Sequence, residues 1–244
     1  MNKEGEIMQS VRYIPISESA LIVEFSDTID LHLNNRILQL SKNLVNNPFP
    51  GFIEAVPAYT TITIHFDPVK MKENPYDQII SVIDHYLTRS TKDVRRKKTV
   101  KIPVCYEEEF GLDLDIVASH NQLTREQVID IHTAKIYDVY FLGFSPGFPF
   151  LGGMDPRIAT PRKKTPRLQL PAGSVGIAGS QTGVYPSTTP GGWQIIGRTP
   201  VKLLQLENPS PTLLQPGDRV QFYSISREDF FNQKQEDVTW DYES

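Results

Sequence analysis

Cysteine is nearly missing from this chain: Cys105 stands alone, so no disulfide can close within it and no cysteine-built metal site is available. Long apolar runs are missing too, and none reaches the ~18–20 residues of a membrane-spanning helix. The opening residues, Met1 to Ser10, carry Glu4 and Glu6 and lack the basic end and apolar core of a secretion signal. These absences lead us to expect a cytoplasmic protein that does not engage membranes. The net charge of −4 speaks against wholesale nucleic-acid binding while leaving room for a local basic patch. Neither a G-x-x-x-x-G-K-[ST] phosphate loop nor a dinucleotide fingerprint occurs. Histidines are scattered. His32, His65 and His85 are expected at or near the surface, and His120 and His132 have no third ligand nearby, so no metal site is expected. No segment repeats with a period of roughly 20–50 residues, which excludes a solenoid.

What is present fits a soluble globular protein: 39% hydrophobic and 22% charged residues over 244 positions, enough for one large domain or two small ones. Val11 to Ile16 and Ala20 to Phe25 are short β-prone runs. Leu33, Ile37, Leu40 and Leu44 recur at helical spacing between Leu31 and Val45, and Asn46-Asn47-Pro48 ends that helix. Phe52 to Val56 and Thr60 to Phe66 read as strands, and Tyr76 to Leu87 as a second helix. The order predicts a small α+β layer with its helices on one face of a mainly antiparallel sheet. Arg95-Arg96-Lys97-Lys98 then reads as a solvated connection, which sets the expected domains at 1–96 and 97–244. Val100 to Tyr106 resumes as a strand. Two short helices follow, the second opened by a capping box of Thr124 and Gln127, with Val128 and Ile131 on its buried face.

From Tyr137 the character changes. Of 15 glycines, 11 lie between Gly143 and Gly197, and 9 of 19 prolines lie between Pro146 and Pro200. Large residues fill the gaps between them, among them Phe144, Phe148, Phe150, Trp193 and Ile195, and disordered linkers lack such residues. Short strands joined by tight turns, as in a β-barrel, are therefore expected. Val201 to Leu206 and Arg219 to Ile225 would supply further strands around a turn at Pro216-Gly217-Asp218, and Glu228 to Ser244 a helix or a frayed tail.

Several motifs within this stretch bear on chemistry. Gly143-Phe144-Ser145-Pro146-Gly147 imitates a serine nucleophile elbow, but the residue after the serine must donate a backbone N–H to an oxyanion, and Pro146 has none. Arg157, Arg162, Lys163, Lys164 and Arg167 form a basic cluster punctuated by Pro156, Pro161 and Pro166; it reads either as an ordinary basic loop or as preorganised cations for phosphate or carboxylate. Pro171 to Gly179 and Thr189 to Trp193 are small-residue segments that let backbone approach a ligand or another strand, with Gln181, Thr182 and Tyr185 beside them. His132, at a helix end, reads either as a cation facing the helix dipole or as a polar group lining a site.

Gly143-Phe144-x-Pro146-Gly147-Phe148, Pro161-Arg162, Pro171-Ala172-Gly173-Ser174-Val175, Tyr185-Pro186 and Pro190-Gly191-Gly192-Trp193-x-Ile195-Ile196-Gly197-Arg198-Thr199-Pro200 together resemble the Kip-inhibitor family. That family is also called the 5-oxoprolinase B-subunit family, or allophanate hydrolase subunit 1-like. Ile102 to Tyr106, His132 and Asn47-Pro48-Phe49-Pro50-Gly51-Phe52 fit it as well, so the resemblance runs from about Tyr13 to Phe222. It implies an α+β fold: a small α+β N-terminal domain followed by a cyclophilin-like β-barrel. It implies a component that acts with 5-oxoprolinase subunits A and C to open 5-oxoproline to L-glutamate with ATP as co-substrate and Mg2+ accompanying it, and that is inactive or nearly so alone. The missing phosphate loop leaves the interface with the C component as one place for the nucleotide. The family also contains an inhibitor of sensor histidine kinase autophosphorylation, which makes a histidine kinase a second expected partner, and it has relatives in urea and allophanate metabolism. On this resemblance the polar site residues are expected to be His132 and Arg167 as catalytic groups and Arg162, Gln194 and Arg198 as substrate-binding groups. Phe144, Phe148 and Trp193 would be the walls. Arg167→Ala is then expected to lower turnover far more than stability.

Overall fold

The computed structural model describes residues 11–72, 74–88, 97–232 and 238–242. It separates into two compact units, residues 1–95 and 96–244.

The first unit follows its hydrophobic periodicity closely. Strands β1 (Arg12–Ser17), β2 (Ala20–Glu24), β3 (Phe52–Pro57) and β4 (Thr61–Phe66) form an antiparallel sheet in the order β1-β2-β4-β3. Helices α1 (Leu31–Asn46) and α2 (Pro75–Thr88) supply Leu33, Ile37, Leu40, Leu44, Ile79 and Ile83 to a core shared with Leu21, Val23, Ile62, Ile64 and Phe66. The Asp30 side chain caps α1 by accepting from the Leu33 amide at 2.8 Å.

The second unit is built on an eight-stranded sheet. Its strands are β5 (Lys98–Val104), β6 (Ile136–Leu142), β7 (Pro149–Gly152), β9 (Ser174–Ala178), β10 (Gln181–Val184), β12 (Gln194–Arg198), β13 (Arg219–Ser224) and β14 (Trp240–Tyr242), in the order β12-β9-β10-β7-β6-β13-β5-β14. A two-stranded ribbon of β8 (Arg167–Leu170) and β11 (Thr189–Gly191) stands apart from it. Helices α3 (Leu114–His120) and α4 (Arg125–Thr133) cover the main core, and α4 carries the expected Thr124–Gln127 capping box.

The sheet curls until its far strands meet. Cys105, just after β5, exchanges two backbone hydrogen bonds of 2.9 Å with Arg198 on β12. Among the described residues no strand ladder continues this seam. The segment from Cys105 to Asp113 closes it instead. The Asp113 amide donates to Ile195 O at 2.7 Å, and its carboxylate accepts from the Ile195 amide at 2.8 Å, so one residue supplies both halves of a β-bridge. Gly111 allows the approach, since a Cβ there would sit 2.7 Å from Ile196 O.

Several expectations are corrected here. Lys97 and Lys98 are partly buried rather than a solvated linker: Lys97 Nζ lies 3.4 Å from Asp138, and Lys98 opens β5 while its Nζ donates to Leu213 O at 3.3 Å. Arg95 and Arg96 lie outside the described residues. Val201 to Leu206 is not a strand; a single bridge joins Leu204 to Thr212, because Pro200, Pro209 and Pro211 cannot donate to a ladder. Within the expected tail, the described residues form helix α5 (Arg227–Asn232) and strand β14, which pairs antiparallel with β5, while residues 233–237 and 243–244 lie outside the described residues. Pro216-Gly217-Asp218 does turn as expected, with Gly217 at φ +91° and Asp218 N donating to Gln215 O at 3.0 Å.

Candidate functional site

The false serine elbow is the hairpin turn between β6 and β7. Gly143 N donates to Phe148 O, Ser145 N to Gly143 O and Phe148 N to Ser145 O, which holds Phe144 in the left-handed region at φ +66°. That conformation is costly for an aromatic residue. It leaves Phe144 67% exposed. No helix follows, and the Ser145 hydroxyl is shielded from solvent without a hydrogen-bond partner. The serine-hydrolase geometry is thus absent.

Phe144 caps a small aromatic core of Phe148, Tyr185, Trp193, Leu170, Ala178 and Ile195. Phe148 packs edge-on to Trp193, with ring centroids 5.4 Å apart. Two glycines make room for the indole. A Cβ on Gly176 would lie 3.1 Å from Trp193 Cβ, and one on Gly183 would lie 3.1 Å from both Trp193 Cζ3 and Phe148 Cζ. Gly176, Gly183 and Gly173 in or beside the small-residue segments therefore serve packing within the curled sheet. Gly173 shows it most sharply: it adopts φ +85°, and a Cβ there would meet the Thr199 carbonyl oxygen at 2.1 Å.

Over this core runs the basic segment 161–167. Lys163 N donates to Gly192 O at 2.8 Å, Gln194 Nε2 donates to Pro161 O at 2.9 Å, and Arg167 pairs with Gly191 in the ribbon. Asp113 fixes the segment from below. Its buried carboxylate receives two hydrogen bonds from Arg167, of 2.6 and 2.8 Å, and one from Lys163 at 2.9 Å. Burial pushes the Asp113 carboxyl up, but the hydrogen bonds from Arg167, the Ile195 amide and Lys163 outweigh it and hold it below its ordinary value. Asp113 also occupies the N-cap position of α3 yet makes no capping bond, because both oxygens are committed elsewhere. Arg162 lies over the Trp193 ring, its Cζ 5.8 Å from the centroid.

The structure thus joins Phe144, Phe148 and Trp193 in one aromatic cluster and sets Arg162 over Trp193. Gln194 lies on the other side of β12 from Ile195, where its Oε1 is buried without a partner. Arg198 sits at the seam, donating from Nε to Ala172 O at 2.8 Å and lying over Phe230. Arg167 is engaged by Asp113 rather than presented to a ligand, so the expectation that Arg167→Ala spares stability no longer follows.

His132 is in the core, fully buried against Phe222, with ring centroids 4.7 Å apart. Its Nδ1 is 2.8 Å from Tyr106 Oη and its Nε2 is 3.0 Å from Thr182 Oγ1. Thr182 Oγ1 donates to Gly176 O at 3.0 Å, so it accepts from Nε2–H, and Nδ1 accepts from Tyr106. Burial lowers the His132 pKa to about 3, so the ring is neutral and does not serve as a cation against the helix dipole. This has a consequence for stability. The unfolded ring titrates near ~6.5, so stability is fully present above that pH and is lost as pH falls towards 3, at ~1.4 kcal/mol per pH unit. Urea unfolding followed by tryptophan fluorescence should show a loss of ~2 kcal/mol from this ring between about pH 7 and pH 5. His132→Gln should flatten the slope by that amount, and an unchanged slope would show that another group carries it.

Asp113 is the residue that sequence reasoning missed. An aspartate before Leu114 and Val117 reads as an ordinary helix cap, and only the fold brings Ile195, Lys163 and Arg167 to it. Among the described residues no group of three or more histidine, cysteine, aspartate or glutamate side chains could hold a metal, and no helix is long and apolar enough to cross a membrane.

The carboxyltransferase domain, subdomain C and D, matches residues 11–214. A Bacillus subtilis (strain 168) protein named as the B subunit of 5-oxoprolinase is 46% identical over 229 residues, covering 91% of this chain and 95% of the relative. The crystal structure of TTHA0988 superposes with a TM-score of 0.75 at 36% identity over 85% of this chain, which spans 40% of that longer one. A more distant likeness, 27% identical, is to a part amounting to 14% of the urea amidolyase of Saccharomyces cerevisiae. With a curled sheet, a shared fold and matches along most of its length, the chain belongs to the carboxyltransferase subdomain C and D family, among the relatives of the 5-oxoprolinase B subunit.

Proposed function

We propose that the chain is the B subunit of an ATP-dependent 5-oxoprolinase, acting with subunits A and C to open 5-oxoproline to L-glutamate. The observation that carries this reading is the 46% identity to the Bacillus subtilis B subunit over nearly the whole of both chains. The second unit is read as a cyclophilin-like barrel, in keeping with its curled sheet. ATP is the co-substrate, with Mg2+ accompanying it, and the chain is inactive without its partners. A lactam carbonyl resists attack because the nitrogen lone pair delocalises into it. Phosphorylating the carbonyl oxygen removes that resistance, and the step needs positioned cations to offset phosphate charge. Arg162, exposed over Trp193, suits such a role. His132, Arg167 and Gln194 support the barrel that presents it.

Mixing the purified chain with its A and C partners, ATP and 5-oxoproline should yield glutamate, and omitting any one of them should abolish the product. No product in a mixture where another B subunit is active would refute the reading. A second reading, inhibition of a sensor histidine kinase, draws on the exposed Phe144 ring, an apolar group suited to a protein partner. It predicts binding to a kinase dimerisation region that Phe144→Ala abolishes.

A further inference from the structure

We propose that helix α5 is a detachable cover on the seam, closed in this structure and able to lift from Phe110 and Arg198 while β13 and β14 stay paired. β13 and β14 lie on opposite flanks of β5, β13 parallel to it and β14 antiparallel. The chain between them therefore crosses from one flank of β5 to the other. It leaves where β5 ends: Ser224 pairs with Val104, and Ile225 N donates to Val104 O at 3.0 Å, next to Cys105 at the opening of the seam. α5 stands at the start of that crossing. Its Phe230 ring packs on Phe110, with centroids 4.4 Å apart, and lies under Arg198, whose Cζ is 5.7 Å from the ring centre. Phe110 and Arg198 come from the two sides of the seam, so one ring of α5 spans it.

What α5 covers depends on it. Phe110 is 7% exposed, yet it belongs to neither the main core nor the aromatic core of its unit. Among the described residues the rings it meets are Phe230 and Phe231, both on α5. Arg198 spends Nε on Ala172 O and, among the described residues, meets no carboxylate. The hold on α5 is light by contrast. None of its residues is fully buried, and six residues are too few for a helix to stand by itself. Its charged tie, Arg227 to Glu109, is 57% and 49% exposed, where water weakens it. Arg227 N also donates to Glu107 Oε1 at 2.8 Å. At the start of α5, Ser226 Oγ donates to Asp229 Oδ2 at 2.7 Å and accepts from Asp229 N at 3.1 Å, a pairing that travels with the helix. β13 and β14 are fastened to β5 by their own ladders, so α5 can open alone, as segments with few buried apolar contacts do. Opening bares Phe110 and frees the Arg198 guanidinium.

The cover does not rest on the proposed reaction, and its test needs only the full chain. Hydrogen exchange read by mass spectrometry should find the α5 amides slower than an unstructured peptide but at least ~10-fold faster than those of β13, at a rate that low urea leaves unchanged. Phe230→Ala should quicken α5 ~10-fold, the worth of a lost ring contact, and Arg227→Gln ~3-fold, with β13 unchanged in both. Modification of Arg198 by phenylglyoxal, mapped in the same way, should rise in Phe230→Ala, while that of the exposed Arg162 should not. Exchange of α5 in step with β13 would show that it opens only with the whole unit. Exchange at the peptide rate would show that it covers nothing. Either result overturns the proposal, and so does unchanged Arg198 reactivity in Phe230→Ala.

Discussion

Asp113→Ala is expected to cost the second unit about 3 kcal/mol, measured by urea unfolding with tryptophan fluorescence. Both tryptophans, Trp193 and Trp240, belong to that unit, so the signal reports it alone. The size of the loss follows from what the carboxylate holds. It is 1% exposed and accepts from Arg167, Lys163 and the Ile195 amide. Removing it leaves two cations, each about a quarter exposed, without their counter-charge, and strips the seam of one half of its bridge at Ile195. Partial exposure of the cations places the loss at the low end of the ~3–5 kcal/mol found when a buried pair is broken. Asp113→Asn, which keeps the shape and an acceptor for the Ile195 amide, should lose less. A loss below about 1 kcal/mol in Asp113→Ala would mean that the seam is held elsewhere.

Trp193→Ala should be the larger perturbation, about 4 kcal/mol, because it opens a cavity that cannot refill. The indole rests where Gly176 and Gly183 lack side chains, so nothing on those strands can move into the space. Its neighbours Phe148 and Phe150 are packed against one another, and Phe150 is stacked on Phe141, which limits collapse. Trp193→Phe should recover roughly half of the loss. In the reconstituted enzyme Trp193→Phe should still reduce turnover, since Arg162 loses the surface that orients it. Full activity in that variant would detach Arg162 from the reaction.

How much of this was legible beforehand differs between the two units. In the first, Leu33, Ile37, Leu40 and Leu44 carry the helix period, and β4 alternates from Thr61 to Phe66, so local pattern and fold agree. In the second, the aromatics correctly marked the Gly- and Pro-dense stretch as ordered, but spacing cannot assign partners. Arg167 reads as one more cation in a basic run until Asp113 arrives from 54 positions away. His132 reads as a polar helix end until Tyr106 and Thr182 take both of its nitrogens. Phe144, Trp193 and Arg162 could be grouped beforehand because they lie within one composition anomaly. The group centred on Asp113 was not, because it joins segments with no shared local signal.

The seam between Cys105 and Arg198 also bears on kinetics. We expect its bridge at Asp113 and Ile195, which spans 82 positions, to form after the folding barrier, because the loop entropy of such a closure is met before any contact rewards it. Interactions made after the folding barrier leave the folding rate nearly untouched and act on the unfolding rate. Asp113 would then govern how long the curled sheet stays closed rather than how fast it forms, acting as a latch on the lifetime of the surface that carries Arg162.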